Sequence, residues 1–149
     1  MASAFGHIAV AYAMAKTIQP ALRTKQFWWL VVACCLLPDA DVIGLFLGIP
    51  YEHVLGHRGL THSLFCAGIV GLLVPRLVVP GLGFGSRSYG ILALIFFGVT
   101  MSHGMLDAMT NGGLGIAFFS PFDSSRYFFP GGLLPFRQSA FPHFFRHGD

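Results

Sequence analysis

Four long apolar segments, separated by short polar stretches, dominate the pattern of the chain. Apolar runs of about 20 residues have the length that an α-helix needs to cross the hydrocarbon core of a bilayer. The pattern predicts four helices, at about 2–18, 27–49, 60–79 and 89–109, followed by a tail of residues 110–149. The first helix would be about 25 Å long, slightly shorter than a bilayer core. The tail is rich in Gly, Pro and Phe and forms no fifth span.

The composition indicates that these helices lie in a membrane. The chain is 54% hydrophobic and 10% charged, whereas a soluble domain is about 25% charged. Because so few charged side chains cannot cover a water-facing surface, we predict an all-α integral membrane protein. The expected architecture is a four-helix up-down transmembrane bundle, one domain over residues 1–149, with an aromatic-rich interfacial tail. The "GLGFGS" stretch at 81–86 lacks the ending of a phosphate loop and predicts a tight turn between helices.

The basic residues bear on orientation. Lys16, Arg23 and Lys25 cluster between the first two predicted helices, and Arg76 and Arg87 flank the turn between the last two. In an up-down bundle both turns lie on one side, which the positive-inside rule makes cytoplasmic. Since no Lys/Arg cluster of the kind that nucleic acids require is present, we expect membrane lipid as the partner and no nucleic acid.

Seven titratable side chains lie within the predicted spans or at their ends. Ionisable groups in spans are costly and are functional candidates by default. In an up-down bundle the start of helix one, the end of helix two, the start of helix three and the end of helix four share one side. All seven therefore fall in one leaflet, opposite the basic turns. They are His7, Asp39, Asp41, His57, His62, His103 and Asp107.

The local spacing of these residues fits a shared site. "SHGMLD" places His103 and Asp107 four apart, on one face of a helix. In "LPDAD", Asp39 and Asp41 would diverge by about 200° on a regular helix. Both can face one site only if Pro38 breaks the helix at this point.

The stretch "HRGLTHS" sets two histidines five apart at the start of the third helix. Gly59 permits a turn, so His57 is expected in the loop and His62 on the first turn of the helix. Thr61 or Ser63 would then cap that helix.

Four histidines and three aspartates offer nitrogen and oxygen ligands without a thiolate. Such a set is typical of Zn²⁺ and is also compatible with Mn²⁺ or Fe. Seven ligands exceed the needs of one tetrahedral zinc and predict two metal ions, about 3.5–4 Å apart and bridged by a carboxylate. A proton or ion relay is the alternative, but relays step across the membrane, whereas these residues gather at one end.

Two arginines are candidates for contacting an anionic substrate group. Arg58 lies between the two histidines of "HRGLTHS", and Arg126 lies in the tail. The alternative for Arg58 is an interfacial arginine that snorkels. The tail is expected to form an interfacial lid over the mouth of the site, with four phenylalanines in lipid: Phe118, Phe119, Phe128 and Phe129.

These motifs resemble a known family. "GH" at 6–7, "LPDAD" at 37–41, "HRGLTHS" at 57–63, "SHGMLDAMTNGG" at 102–113 and "SPFDSSRYFFP" at 120–130 are similar to those of the bacterial inner-membrane metal-dependent hydrolases of the YdjM type, also called DUF457. The resemblance covers nearly the whole chain. That family is distantly similar to zinc-dependent phospholipase C and P1 nuclease, so the resemblance implies phosphoester hydrolysis and an inner-membrane location.

The resulting hypothesis is a multi-pass membrane metallohydrolase with a di-metal site on the periplasmic side. Metal ions would activate a water molecule, Arg58 would stabilise developing negative charge, and the substrate would be a phospholipid or a lipid-linked phosphate. Whether Asp39 or Asp41 is a general base instead of a ligand stays open. Two alternatives remain, a metal- or proton-coupled transporter and a membrane scaffold.

Overall fold

A computed structural model describes residues 4–110 and 114–129, together with the backbone of residues 136–138. The described chain is mostly helical, which confirms the predicted helical class. The α-helices are α1 (Ala4–Ala15), α2 (Lys25–Leu36), α3 (Val42–Phe46), α4 (Leu64–Leu73), α5 (Pro75–Val78) and α6 (Arg87–Ala108). Short 3-10 turns cover Pro20–Leu22, Pro38–Asp41 and Leu60–His62.

Two short strands correct the all-α expectation. β1 (Arg126–Phe128) pairs antiparallel with β2 (Phe136–Gln138), and Ile116 forms an isolated bridge to Tyr127 of β1. Strands are recognised in a sequence by alternation over four to eight residues. A three-residue strand is too short to show that alternation, so the tail gave no strand signal.

Helix α6 lies at the centre of the fold, where α1, α2 and α4 pack against it. Its Leu92, Phe96 and Val99 are fully buried, and Phe27 of α2 meets Phe96 edge-on with ring centroids 5.7 Å apart. With 22 residues, α6 is about 33 Å long, close to the thickness of a bilayer core.

The described residues contain one helix that is long and apolar enough to span a membrane by itself, and that helix is α6. A second is found if Lys25–Leu36 and Pro38–Phe46, bent by 47° at their junction, count as one span. The stretches Ala4–Ala15 and Leu64–Val78 are apolar but shorter. The four full spans expected from the sequence therefore stay a prediction.

Prolines account for the two predicted helices that the structure divides. The segment expected at 27–49 leaves the α-helix after Leu36, and Pro38 opens a 3-10 turn. The segment expected at 60–79 is interrupted at Pro75, which has no N–H to donate within a helix. Its α-helix begins one residue after Ser63, whose hydroxyl caps it by accepting from the amide of Cys66 at 3.1 Å. The glycine-rich stretch at 81–86 is a turn, as predicted, with Gly81 at a φ of 83°.

Close packing of α4 on α6 depends on Gly71. A Cβ at this position would lie 2.8 Å from the carbonyl oxygen of Ala93 and 3.0 Å from the Cβ of Phe97. Gly68, one turn earlier on the same helix, has nothing within 4 Å of the corresponding point. The two glycines therefore form a matched pair, one in the interface and one outside it.

We expect Gly71→Ala to lower the free energy of unfolding by about 1–3 kcal/mol, because the added methyl group forces the two helix backbones apart. Gly68→Ala should instead be neutral or stabilising by up to about 1 kcal/mol, since alanine favours the helix. Thermal unfolding of both variants in the same detergent is the measurement. Equal melting temperatures for the two variants would show that the helices do not meet at Gly71.

The tail packs on the end of the bundle where α4 begins. The amide of Leu64 donates to the carbonyl oxygen of Phe118 at 2.9 Å, and the amide of Ala117 donates to that of Arg58 at 3.1 Å. Phe118 is consequently 7% exposed, so the expectation that it lies in lipid is wrong. Phe119 is 48% exposed and keeps an outward position.

Candidate metal centre

Four of the seven predicted residues bring one ligand atom each into a compact group. Asp39, His62, His103 and Asp107 offer atoms that all lie within 4.8 Å of one another. The Nε2 of His103 lies 3.2 Å from Oδ1 of Asp39. The Nε2 of His62 lies 4.0 Å from Oδ1 of Asp39 and 4.0 Å from Oδ2 of Asp107. We call this set the four-residue group.

Local structure explains how each member reaches the group. His103 and Asp107 are one turn apart on α6, so their side chains share a face. Asp39 follows Pro38 in the 3-10 turn that ends the second helix. His62 is the last residue of the 3-10 turn before α4. The predicted break at Pro38 is therefore present. His62, expected on the first turn of the helix, instead lies before it, because Ser63 is the N-cap and the α-helix begins at Leu64.

The ligand atoms of the group lie close to one another and to other titratable groups without forming well-aligned hydrogen bonds. Oδ1 of Asp39, Nε2 of His62, Nε2 of His103 and both carboxylate oxygens of Asp107 are buried without a hydrogen bond among the described residues. Buried polar atoms in proteins almost always have a partner. Two nitrogens and carboxylate oxygens are ligands that Zn²⁺, Mn²⁺ and Fe accept, so the residues present fit a metal ion.

Only Asp39 connects the group to the outside. Its side chain is 34% exposed, whereas those of His62, His103 and Asp107 are exposed by 1% or less. A ligand arriving from solvent or from the membrane interface would therefore meet Asp39 first.

His7 lies beside the group, next to two of its members. Its ring stacks on that of His103, with centroids 3.9 Å apart and an angle of 14°. Its Nε2 lies 3.4 Å from Oδ1 of Asp107. The start of α1 thus reaches the same end of the bundle as the end of α6, as the up-down arrangement predicts.

Asp41 and His57 lie one layer further out. Oδ1 of Asp41 is 2.6 Å from Nδ1 of His57. Oδ2 of Asp41 accepts from the amide of Arg58 at 3.0 Å and from the hydroxyl of Thr61, and it lies 3.2 Å from Nδ1 of His62. Both carboxylate oxygens of Asp41 are therefore engaged with protein groups, and neither belongs to the four-residue group.

Contacts at the Nδ1 atoms set the orientation of both histidines of the four-residue group. Nδ1 of His103 lies 2.8 Å from the carbonyl oxygen of Cys35. Because a carbonyl only accepts, this nitrogen carries a proton, and Nε2 faces the group. Asp41 plays the same part at Nδ1 of His62. Such outer partners fix the tautomer and raise the basicity of metal-binding histidines. The sequence contains no signal for the contribution of Cys35, which comes from the backbone.

Arg58 occupies the centre of the loop between the two predicted histidines. It is 1% exposed, and its Nη2 lies 3.2 Å from Oδ2 of Asp107. Its φ of 64° lies in the left-handed region, which is uncommon for residues other than glycine. The turn expected at Gly59 is centred on Arg58 instead. Gly59 is needed for close approach, because a Cβ there would lie 2.3 Å from the carbonyl oxygen of Val54.

Arg126 contacts the backbone of the site loops. Its Nη2 donates to the carbonyl oxygen of Tyr51 at 2.7 Å. Its Nη1 lies within 3.2–3.4 Å of the carbonyl oxygens of His57, Arg58 and Gly115. The guanidinium therefore ties β1 to the 51–58 loop, which differs from the substrate contact expected from the sequence. Burial disfavours the charged form of both side chains. It therefore lowers the pKa of Arg126 and raises the pKa of Tyr51, whose ring lies under the guanidinium.

The sequence model of the family described as "YdjM inner membrane protein" matches residues 1–146. The chain belongs to this family. A curated relative, the inner membrane protein YbcI of Escherichia coli (strain K12), is 37% identical over 103 residues. That match covers 66% of this chain and 56% of the relative, so the chain matches little more than half of the length of YbcI. No solved structure matches the chain.

The family and the relative are both described as inner membrane proteins, which confirms the resemblance noted in the motifs and the predicted inner-membrane location. The motifs "LPDAD", "HRGLTHS" and "SHGMLD" supply all members of the four-residue group in this YdjM-family chain.

We expect Asp41→Ala to weaken metal binding by about 10–100-fold, because His62 would lose the partner that orients it. Thr61→Val removes a single contact of Asp41 and should have a smaller effect. Competition with a chromogenic chelator measures both affinities. If Asp41→Ala bound metal as tightly as the unaltered protein, the outer-layer role of Asp41 would be contradicted.

Proposed function

We propose that this YdjM-family protein is a multi-pass, membrane-embedded, metal-dependent hydrolase that cleaves a phosphoester bond of a phospholipid or a lipid-linked phosphate. The observation that carries the proposal is the four-residue group, in which ligand atoms of two buried histidines and two carboxylates converge within 4.8 Å of one another. Their nearest protein neighbours are other titratable groups, with Arg58 3.2 Å from Asp107 and His103 3.2 Å from Asp39. A bound cation would be held by all four residues at once.

Asp39, His62, His103 and Asp107 would hold the ion, with Zn²⁺ as the first candidate and Mn²⁺ or Fe as others. When bound, such an ion supplies a water of lowered pKa and polarises a phosphoryl oxygen. The four-residue group has the ligand number of one ion, and Asp41 is not available as a further ligand, because both of its oxygens contact protein groups. The two ions expected from the sequence stay a prediction that metal analysis decides.

The surrounding residues have separate parts in the proposed reaction. Arg58 holds Asp107 by the contact at 3.2 Å and places a positive charge beside the site, where negative charge develops in phosphoester cleavage. Asp39 would hold the ion through Oδ1, and its other carboxylate oxygen is a better candidate than Asp41 for taking a proton from the attacking water. The side chain of Asp39 is partly exposed, whereas Asp41 is already engaged by four neighbours.

A lipid-linked substrate is supported by the position of the group. It lies where α4 begins and α6 ends, beside a tail that presents Phe119 and Phe122 outward, at 48% and 83% exposure. An amphipathic substrate can keep its chain in such apolar surroundings while its phosphate reaches Asp39. The basic turns on the other side support a periplasmic site by the positive-inside rule.

The structure gives the transporter hypothesis less support. A relay needs polar groups along the bundle, but the buried face of α6 between Tyr89 and Val99 is apolar, with Leu92 and Phe96 at its centre. Thr100 follows, and its hydroxyl bonds to the carbonyl oxygen of Phe96. Among the described residues, the titratable groups of the site gather at one end of this helix.

The test is hydrolysis of phosphatidylglycerol and of bis(p-nitrophenyl) phosphate by the protein in lipid nanodiscs. We expect 1,10-phenanthroline to abolish cleavage and added Zn²⁺ to restore it. Activity that persists after complete metal removal would overturn the proposal. Zinc-dependent flux into liposomes without cleavage would favour the transporter.

A further inference from the structure

The tail carries a buried hydroxyl that none of the described residues bonds. Ser120 is 1% exposed, and its Oγ has no hydrogen-bond partner within 4–110 or 114–129. The backbone of the residue is satisfied separately, because its amide donates to the carbonyl oxygen of Ala117 at 3.1 Å. A buried hydroxyl without a partner is an exception that needs an explanation, and a bound ligand with an acceptor atom supplies one.

Ser120 lines an apolar cleft between the tail and the start of α4. The cleft has a volume of about 300 Å³, at the lower end of the range for small-molecule sites. Apart from Ser120, its walls are Leu64, Phe65, Phe118, Phe119 and Phe122. Among the residues that the structure describes, no charged side chain lines it, so a charged group would find no partner among them.

A second apolar cavity adjoins the cleft. It has a volume of about 210 Å³ and shares Leu64, Phe118 and Phe119 with the first. Its remaining walls are Met101, Met105, Tyr127 and Phe129. The walls around both cavities are therefore almost entirely apolar, which suits a hydrocarbon ligand.

The surroundings of the cleft identify the kind of ligand. Phe122 is 83% exposed and Phe65 is 43% exposed, and their rings meet edge-on at 5.7 Å along one wall. In a protein of an inner-membrane family, such exposed rings face lipid. The ligand must combine a long apolar body with one uncharged acceptor. An esterified acyl chain has both, because its carbonyl oxygen accepts a hydrogen bond.

We propose that this cleft binds one acyl chain of a membrane glycerolipid, with the hydroxyl of Ser120 donating to the ester carbonyl of that chain. No member of the four-residue group lines the cleft. A test of the lipid site is therefore independent of a test of the proposed hydrolase activity.

The experiment is photo-crosslinking of the purified protein in detergent with a diester phosphatidylglycerol that carries a diazirine in its acyl chain. Labelled positions are mapped by mass spectrometry, and unlabelled diester and diether lipids compete for the site. We expect labelling at Phe65 and Phe119. The diester should compete about fivefold better than the diether, as one hydrogen bond of roughly 1 kcal/mol implies.

Ser120→Ala should remove the preference for the diester while labelling by the probe persists. Ser102→Ala is the matched control, because the hydroxyl of Ser102 already bonds to the carbonyl oxygen of Val99 at 2.8 Å; this variant should keep the preference. Phe122→Ala alters an exposed wall and should reduce labelling without changing the melting temperature.

Three results would overturn the proposal. Equal competition by diester and diether lipids would show that no ester carbonyl is recognised. A preference that survives in Ser120→Ala would assign it to another group. Labelling concentrated on Leu94, an α6 residue that is 71% exposed and lines neither cavity, would show general lipid contact rather than a site.

Discussion

His103→Ala is expected to yield a protein that purifies without bound metal and has no phosphodiesterase activity. The imidazole supplies an Nε2 atom to the four-residue group and is held by the carbonyl oxygen of Cys35. Loss of an outer partner typically weakens metal binding by roughly 10–100-fold, and loss of the ligand itself should exceed that range. Elemental analysis of protein purified in parallel with the unaltered chain is the measurement.

His53→Ala is the matched control for this experiment. His53 is exposed, and its Nδ1 accepts only a local hydrogen bond, from the amide of Leu55 at 3.1 Å. We expect this variant to keep both metal and activity. Full metal content in His103→Ala would refute the four-residue group as the metal site, and loss of metal in both variants would point to general unfolding.

Asp107→Ala should produce the largest loss of stability, measured on protein freed of metal by chelation. The carboxylate lies 3.2 Å from Nη2 of Arg58 and 3.4 Å from Nε2 of His7, and all three residues are buried. Removing one partner of a buried ion pair costs about 3–5 kcal/mol, because the other charge loses its compensation. The melting temperature should fall by on the order of 10 °C.

Two further variants separate this effect from a general loss of packing. Asp123→Ala removes a carboxylate that accepts from the amide of Ser125 at 2.8 Å, outside the buried group, and should cost about 1 kcal/mol. The double variant Asp107→Leu with Arg58→Met replaces both charges by apolar groups and should be more stable than Asp107→Leu alone. A double variant as unstable as the single one would contradict a buried ion pair.

The residues of the site were predictable where short-range rules decide the geometry. The spacing of His103 and Asp107 puts them on one helical face whatever the rest of the chain does. Pro38 forces a break that a regular helix could not contain, and the 3-10 turn carries Asp39 to the group. The prediction that all seven candidate residues lie at one end of the bundle followed from the up-down order of the apolar segments alone.

The sequence did not predict that Asp39 would join the four-residue group while Asp41 contacts other protein groups. Two residues apart in one motif, they look equivalent as ligands, and only the path of residues 57–62 decides between them. That path brings His57, the amide of Arg58 and Thr61 to Asp41. Sequence spacing shows which side chains can meet, but not which carboxylate other donors already occupy.

The tail was predicted in outline only. Its glycines, prolines and phenylalanines indicated an interfacial segment, but not that Arg126 would bind backbone carbonyl oxygens of the site loops. Such contacts depend on carbonyl groups, which every residue carries and which therefore leave no trace in the sequence. The burial of Phe118 was also not predicted, because its backbone bonds to Leu64 and its ring packs in a cluster with Ala108 and Ile116.

The end of α2 has a consequence for how the site varies among relatives. In an unbroken helix the carbonyl oxygen of Cys35 would accept from the amide of Asp39. The chain instead leaves the α-helix at Leu36, and this oxygen contacts His103. One proline thus places Asp39 in the four-residue group and, one turn earlier, frees an acceptor for a histidine. We expect position 35 to tolerate any small residue, while position 38 affects the orientation of a side chain 65 positions away.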